Sequence, residues 1–280
     1  MRSPLTASSA TRALKPASWF LRFRIPDLLV LGDQQTSDRS FRHCPISGEQ
    51  LNPQAETLGN EPVEPWYLDL LDELPRLSRL EQAESKALYV PRLDELARGN
   101  GAAAGETALT AALQRAGVTI LDCRHESIRR QMALYAGAKL LIFAEGSAMH
   151  GRQLLGRVDQ EILVLRRRPL STLAQMQLAP RCRKLEYAPV IQSFARPLRN
   201  DGTDIAERGI AFHNADKLLA IFARHGIDLS THWRPEEYQA AVRKDAHAWR
   251  AAVLKQHDID RGRTEEHIRA VFSGAGIANI

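Results

Sequence analysis

Apolar and polar positions alternate regularly between residues 86 and 165. Four short apolar runs have the length of buried strands: residues 87–90, 118–121, 139–144 and 161–165. Segments with helical spacing lie between them, at residues 105–116, 127–138 and 147–156. Strands that alternate with helices through short links predict an α/β fold, in which a parallel sheet carries helices on its faces.

The rest of the chain shows weaker patterns. Beyond residue 169, helices are predicted at residues 214–225, 235–256 and 264–272. Residues 185–194 could form one more strand in a region that prolines interrupt. Residues 1–64 are mostly polar, with a possible short strand at 28–31. We therefore expect a reduced, partly irregular N-terminal region, followed by the sheet domain at residues 65–280.

The segment that begins at Pro65 has the spacing of an amphipathic helix. One face carries three leucines, Leu68, Leu71 and Leu74, and Pro75 is expected to break or kink the helix. Acidic residues also cluster here: Asp69, Asp72 and Glu73. Such residues most often form a solvated helix face. A general base is the alternative role, and Asp72 is the candidate for it.

Composition and charge narrow the class of protein. The chain has 280 residues, of which 44% are hydrophobic and 25% charged, as in ordinary globular proteins. The net charge of +5 suits an anionic ligand but is too mild to indicate nucleic acid. The three cysteines are odd in number and widely spaced, so we expect neither zinc nor a disulfide framework, and a reducing, cytoplasmic location fits. No apolar run is long enough to span a membrane.

Candidate chemistry collects at one edge of the predicted sheet. Right-handed crossovers place all strand-to-helix loops on the same edge. That edge receives Arg92, the loop at residues 123–126 and the loop at residues 145–147. The last of these could be an ordinary turn with Ser147 as helix N-cap. It could also be an anion site, in which Arg92 and the free N–H groups of the next helix bind a diphosphate.

Several familiar sites are missing from the sequence. No GxGxxG motif follows a strand and no GxxxxGK[ST] motif is present. Ser147 and His150 could pair as nucleophile and base, but no third group that would orient the histidine is evident. The histidines do not have metal-ligand spacing. Three arginines at residues 166–168 are more typical of a solvated strand end than of a phosphate contact.

A family resemblance follows from the order of these motifs. Residues 88–92 read Leu-Tyr-Val-Pro-Arg, Gly105-Glu106 opens a helix, and Gly117 begins the run Gly-Val-Thr-Ile. Glu126 and Gln131 come next, and residues 145–150 read Glu-Gly-Ser-Ala-Met-His. Over residues 86–169, this order resembles glycosyltransferase family 61, in its bacterial capsular polysaccharide form. Residues 68–77 are similar to a further motif of that family.

The resemblance implies a GT-B-like fold, in which a C-terminal Rossmann-like domain binds a nucleotide-sugar. It implies inverting sugar transfer to a glycan acceptor, with no required metal or cofactor and with peripheral membrane association open. Four residues would bind the diphosphate: Arg92, Gly146, Ser147 and Ala148. Glu145 and His150 would contact the sugar or ribose. Glu126 and Gln131 would support the loop.

The sequence departs from the family pattern in its N-terminal half. Pro91 stands where a serine is usual before Arg92, and the expected histidine of the earlier motif is Tyr67 or Leu68. Only a short link separates Leu77 from Leu88, where family members have roughly a domain. A truncated, non-catalytic relative that binds a nucleotide or a partner is therefore the alternative function.

Overall fold

The structure, a computed structural model, describes residues 63–277. The possible strand at residues 28–31 and nearly all of the predicted N-terminal region lie outside this part of the chain. Eight strands are found within it: β1 (Ser85–Val90), β2 (Ala102–Ala103), β3 (Thr119–Ile120), β4 (Ala138–Ala144), β5 (Glu161–Leu165), β6 (Lys184–Ala188), β7 (Ile191–Ala195) and β8 (Ile210–His213).

Two sheets are formed by these strands. The main sheet has the order β3-β1-β4-β5-β6, and every neighbouring pair in it is parallel. The second sheet has the order β2-β8-β7, in which β2 and β8 are parallel and β7 and β8 antiparallel. The five-stranded parallel sheet confirms the predicted α/β fold and is consistent with a Rossmann-like domain.

Helices cover both faces of the main sheet. The α-helices of the described residues are α1 (Pro65–Leu77), α2 (Glu106–Arg115), α3 (Ile128–Gly137), α4 (Ala148–Gly151), α5 (Gln175–Leu178), α6 (Ala215–Arg224), α7 (Pro235–Val253) and α8 (Arg261–Gly274). Single 3-10 turns extend α4 and α5. The side chain of Ser127 accepts a hydrogen bond from Arg130 N at 3.2 Å and thereby caps the start of α3.

Alternating side chains of the strands divide the core into two clusters. In β4, Leu140 and Ile142 pack into the larger cluster, with α2, α6, α7, α8 and the second sheet. Leu141 and Phe143 point to the other face and pack against α3, α4 and α5. Because successive side chains of a strand point to opposite faces, a strand buried on both sides must be apolar throughout. This explains why β4 reads as one apolar run.

Three predicted elements differ from the observed ones. The helix α1 continues past Pro75 to Leu77, so of the predicted break or kink at this proline the break does not occur. The single strand predicted at residues 185–194 is two strands in different sheets, β6 and β7, separated by Pro189 and Val190. Proline cannot donate to a strand ladder, which is consistent with the chain changing sheets there. The helix predicted at residues 147–156 is only α4 and one 3-10 turn.

The aromatic residues predicted to pack in the C-terminal helices do so. Trp249 is fully buried in α7, and its indole N–H donates to the Arg208 carbonyl at 2.7 Å. Tyr238 and Trp233 stack with ring centroids 4.6 Å apart. The C-terminal helices therefore belong to the same core as the main sheet.

Candidate functional site

The carboxyl ends of three adjacent strands form the candidate site. β1 and β4 are aligned at Val90 and Phe143, and β4 and β5 at Ala144 and Leu165. Because all three strands are parallel, the residues that follow them emerge at the same edge of the sheet. We call this the carboxyl edge, and it brings together the predicted loops after β1 and β4.

Arg92 lies across the backbone of Gly146, as the anion-site prediction requires. An added Cβ at position 146 would lie 2.6 Å from Arg92 Cδ, so only glycine allows this approach. The Nε and Nη2 groups of Arg92 donate to the Gly101 carbonyl at 3.2 and 3.0 Å. The structure therefore places the guanidinium between two glycine-containing loops.

A buried acid fixes the backbone of Arg92. Glu106, the first residue of α2, accepts a hydrogen bond from Arg92 N at 3.1 Å and one from the Tyr89 hydroxyl at 2.5 Å, both through Oε1. Burial raises the pKa of Glu106, against the hydrogen bonds from Tyr89 and Arg92 that lower it. The end of β1 is therefore tied to the start of α2.

Arg167 is a member of the site that the sequence reasoning missed. The three arginines at residues 166–168 were expected to be solvated, but Arg167 is only 6% exposed. Its Nη1 donates to the Glu207 carbonyl at 3.0 Å, and its Nε lies 3.4 Å from the Glu145 carbonyl. Burial, and then the neighbouring charge of Arg92, lower the pKa of Arg167 to about 10. The guanidinium groups of Arg92 and Arg167 thus lie close together.

Glu145 has a different role from the predicted sugar contact. The residue is fully buried, and its Oε2 accepts hydrogen bonds from the backbone N–H groups of Arg167 and Arg168 at 2.9 and 3.1 Å. Its Oε1 accepts from Arg168 Nε at 2.8 Å and from the Ser171 hydroxyl at 2.7 Å. Burial alone would raise the pKa of Glu145, but these bonds outweigh it and the pKa is lowered. Both oxygens hold the loop after β5.

The predicted residues Ser147, Ala148 and His150 follow Gly146 in the chain, and the helix that they form, α4, is shorter than predicted. Ser147 is exposed and is the N-cap residue of α4, as the ordinary-turn alternative predicts, but its side chain makes no capping hydrogen bond within the described residues. His150 Nδ1 lies 2.9 Å from Gln153 Nε2, and burial lowers the pKa of His150. The imidazole is therefore neutral at pH 7.

Gln131 and Glu126 lie at the neighbouring loop. Gln131 donates through Nε2 to the backbone carbonyls of Cys123 and Glu126, at 2.9 Å in both cases. The side chain of Glu126 is exposed, so the contribution of this residue to the loop comes through its main chain. These contacts connect the start of α3 to the end of β3.

Asp72, the candidate base, is not part of this group. Its Oδ1 and Oδ2 accept hydrogen bonds from Arg157 N and Arg157 Nη1, both at 2.5 Å. Arg157 precedes β5 and lies near Gln160, which bonds the Ala138 carbonyl at the start of β4. The amino ends of the strands are therefore close to Asp72, on the opposite edge from Arg92. The ion pair with Arg157 and this position do not fit a base for chemistry at the carboxyl edge.

The described residues contain neither a group of metal ligands nor a helix suited to cross a membrane. Between residues 63 and 277, no three side chains of His, Cys, Asp or Glu are grouped so that they could hold a metal ion. Over the same residues, no helix combines the length and apolar character needed to cross a membrane. Cys123 and Cys182 are both free thiols.

Comparison with known proteins adds one finding to this geometry. Residues 18–152 match the model of the family described as Glycosyltransferase 61. No curated protein matches the chain. The family match spans just under half of the chain and supports a glycosyltransferase function in general, with a sugar donor and a sugar acceptor as substrates.

The Glycosyltransferase 61 match covers part of the carboxyl edge. It includes Arg92, Gly101 and the loop with Gly146, whereas Arg167 lies beyond its end at residue 152. A guanidinium group beside the start of a helix is suited to phosphate oxygens. The arrangement can therefore bind an anionic group, and Asp72, the base predicted from the sequence, lies at the opposite edge.

Proposed function

We propose that the protein is a family 61 glycosyltransferase, which transfers a sugar from a nucleotide-sugar to a glycan acceptor with inversion. In this proposal the enzyme works on the cytoplasmic side of the membrane in cell-surface polysaccharide synthesis. The observation that carries the proposal is the approach of Arg92 to Gly146 at the carboxyl edge, inside the segment that matches the family. Ligands of open α/β sheets bind at this edge.

The proposed roles follow from charge and position. Arg92 binds phosphate oxygens of the donor, and the backbone of Gly146, Ser147 and Ala148 forms the neighbouring wall. When the glycosidic bond of the donor breaks, negative charge develops on the diphosphate, and a fixed cation stabilises that charge. In this proposal the neutral imidazole of His150 contacts the sugar or ribose.

Calorimetric titration of the full chain with UDP, GDP and CMP tests the binding part of this proposal. We expect heat of binding with at least one nucleotide. The substitution Arg92→Ala should weaken that binding by about 1.5–3 kcal/mol, the size of a lost hydrogen bond to a charged group. Arg183→Ala is the control, because Arg183 is an exposed arginine near the opposite edge that pairs with Glu161. Absence of heat with all three nucleotides would contradict the proposal.

A non-catalytic relative that binds a nucleotide is the second candidate function. It is favoured by one observation: both carboxylates predicted to contact substrate, Asp72 and Glu145, are held by arginines within the described residues. Release of free nucleotide from a panel of nucleotide-sugars decides between the two candidates. Turnover of any donor by the purified chain rules out the non-catalytic relative, whereas binding without turnover supports it.

A further inference from the structure

Arg167 has no role in the proposed function, although it is the most buried of the arginines at the carboxyl edge. We propose that Arg167 is a second phosphate-binding residue of the carboxyl edge, which holds the anionic ligand together with Arg92. This inference rests on the proposed function, because it concerns the same ligand. It adds a residue that lies outside the segment matched by the family.

Both guanidinium groups keep one terminal nitrogen without an acceptor among residues 63–277. Arg92 donates through Nε and Nη2, which leaves Nη1. Arg167 contacts carbonyls through Nε and Nη1, which leaves Nη2. A guanidinium carries five N–H donors in a fixed fork. The backbone carbonyls that Arg92 and Arg167 contact therefore fix the two forks and leave donors for a ligand.

Two glycines make room for the pair of guanidinium groups. A Cβ at position 146 would collide with Arg92, as described above. A Cβ at position 101 would collide with Arg167 Nη1 and would lie 2.9 Å from the Gly209 carbonyl. Gly101 also accepts the hydrogen bonds of Arg92, so it contacts both arginines. The loop before β2 is therefore shaped around the two cations.

The charge balance favours an anion at this place. The carboxylate of Glu145, which is near Arg167, is already bound by Arg168 and Ser171. Glu95 Oε2 forms an ion pair with Arg92 Nη2 at 3.7 Å, which is too long for a hydrogen bond, so this carboxylate leaves Arg92 Nη1 to a ligand. Two neighbouring cations repel each other, and burial with the charge of Arg92 lowers the pKa of Arg167 to about 10. A phosphate group between them would relieve the repulsion.

The test uses the full chain and UDP and GDP as the probes. Dissociation constants are measured by calorimetry for the wild type, Arg167→Met, Arg167→Lys and the control Arg183→Met. Methionine keeps much of the length of the apolar part of the arginine side chain and removes the guanidinium group. We expect Arg167→Met to weaken binding about 10- to 150-fold, as for the loss of a charge-assisted hydrogen bond. Arg167→Lys keeps the charge without the fork and should weaken binding about tenfold.

The results distinguish a failure of the inference about Arg167 from a failure of the proposed function. If the wild type binds and both Arg167 variants match the control, the inference is wrong and the proposed function stands. If the wild type binds neither nucleotide, the proposed function and the inference both fail. Thermal unfolding of each variant shows whether it is folded. If Arg167→Met does not fold, Arg167→Lys decides, and an unchanged affinity in that variant overturns the inference.

Discussion

Three titratable side chains at the carboxyl edge are almost completely removed from solvent. Arg167 is 6% exposed, Glu145 fully buried and His213 7% exposed. A buried charge is stable only where hydrogen bonds or opposite charges replace water. Arg167 and Glu145 have such partners in the loops after β5 and before β8. His213 has instead lost its charge, because burial lowers the pKa of this histidine to about 4.

His213 predicts a dependence of stability on pH. Its Nε2 donates to the Arg166 carbonyl, 2.8 Å away, which favours the charged form, but burial outweighs this bond and the folded protein holds a neutral imidazole. The pKa falls from the ordinary 6.5 to about 4 on folding. In that interval the unfolded chain binds the extra proton, so the stability of the folded state decreases as the pH falls. We expect a loss of up to about 3 kcal/mol across the interval.

Urea unfolding at a series of pH values between 7 and 4 measures this effect. The variant His213→Gln has no titrating group at the position, and its free energy of unfolding should change less than that of the wild type between pH 6.5 and 5. His150 and His267 have lowered pKa values too, and they remain in both proteins. Equal slopes in the two proteins would contradict the assignment.

The proximity of Arg92 and Gly146 could be predicted from the sequence, whereas the burial of Arg167 and Glu145 could not. Arg92 and Gly146 each follow an apolar run, and the parallel arrangement fixes where such residues go. The burial of Arg167 depends on the Glu207 carbonyl, which is contributed by a loop whose path the local pattern does not predict. One signal was present for Arg167, namely its position directly after a strand of the parallel sheet.

At the scale of elements, the connection between β4 and β5 is short and brings Gly146 to Arg92. α4 is a single helical turn, so the chain passes from the carboxyl edge to the start of β5 with little helix between them. Gly146 is the residue of this connection that contacts the site. Its missing side chain is what allows Arg92 to lie against the backbone.

The substitution Gly146→Ala should therefore displace Arg92. An added Cβ would lie 2.6 Å from Arg92 Cδ, and the arginine would have to give up its bonds to Gly101. We expect a stability loss of about 1–3 kcal/mol, typical of overpacking, and weaker nucleotide binding. Chemical denaturation and calorimetry measure the two effects.

Gly274→Ala is the matched control for this prediction. Gly274 ends α8, and an added Cβ there has no neighbour within 4 Å among the described residues. Alanine should leave stability unchanged or raise it by up to about 1 kcal/mol, because glycine is a poor helix former. If both variants lost the same stability or the same binding, contact between Arg92 and Gly146 would not be the cause.

The elements of the main sheet followed from the sequence, but the second sheet did not. The strand β5 has its predicted bounds, Glu161–Leu165. By contrast, β2 is only the two residues Ala102–Ala103, inside a stretch rich in glycine and alanine that has no strand pattern. It becomes a strand by pairing with β8, more than a hundred residues away, at Ala102 and Ile210. Pairing over such a distance leaves no local signal.

At the scale of the whole molecule, the two edges of the main sheet differ in chemistry. The carboxyl edge holds Arg92 and Arg167 beside the loop with Gly146. Near the opposite edge, Asp72 and Arg157 line a cavity of about 340 Å³, together with apolar residues of α1 and the segment before β5. The predicted base therefore lies at a cavity near the opposite edge from the predicted phosphate site, and we assign nucleotide binding to the carboxyl edge alone.

Amide hydrogen exchange with and without a saturating nucleoside diphosphate tests this assignment most directly. Mass spectrometry of peptides from the full chain reports which backbone segments become protected. If the nucleotide binds at the carboxyl edge, exchange should slow in peptides that cover residues 90–105 and 144–150. Exchange at residues 155–160 and 180–186 should be unchanged. Protection confined to the latter two segments, or no protection anywhere, would contradict the assignment.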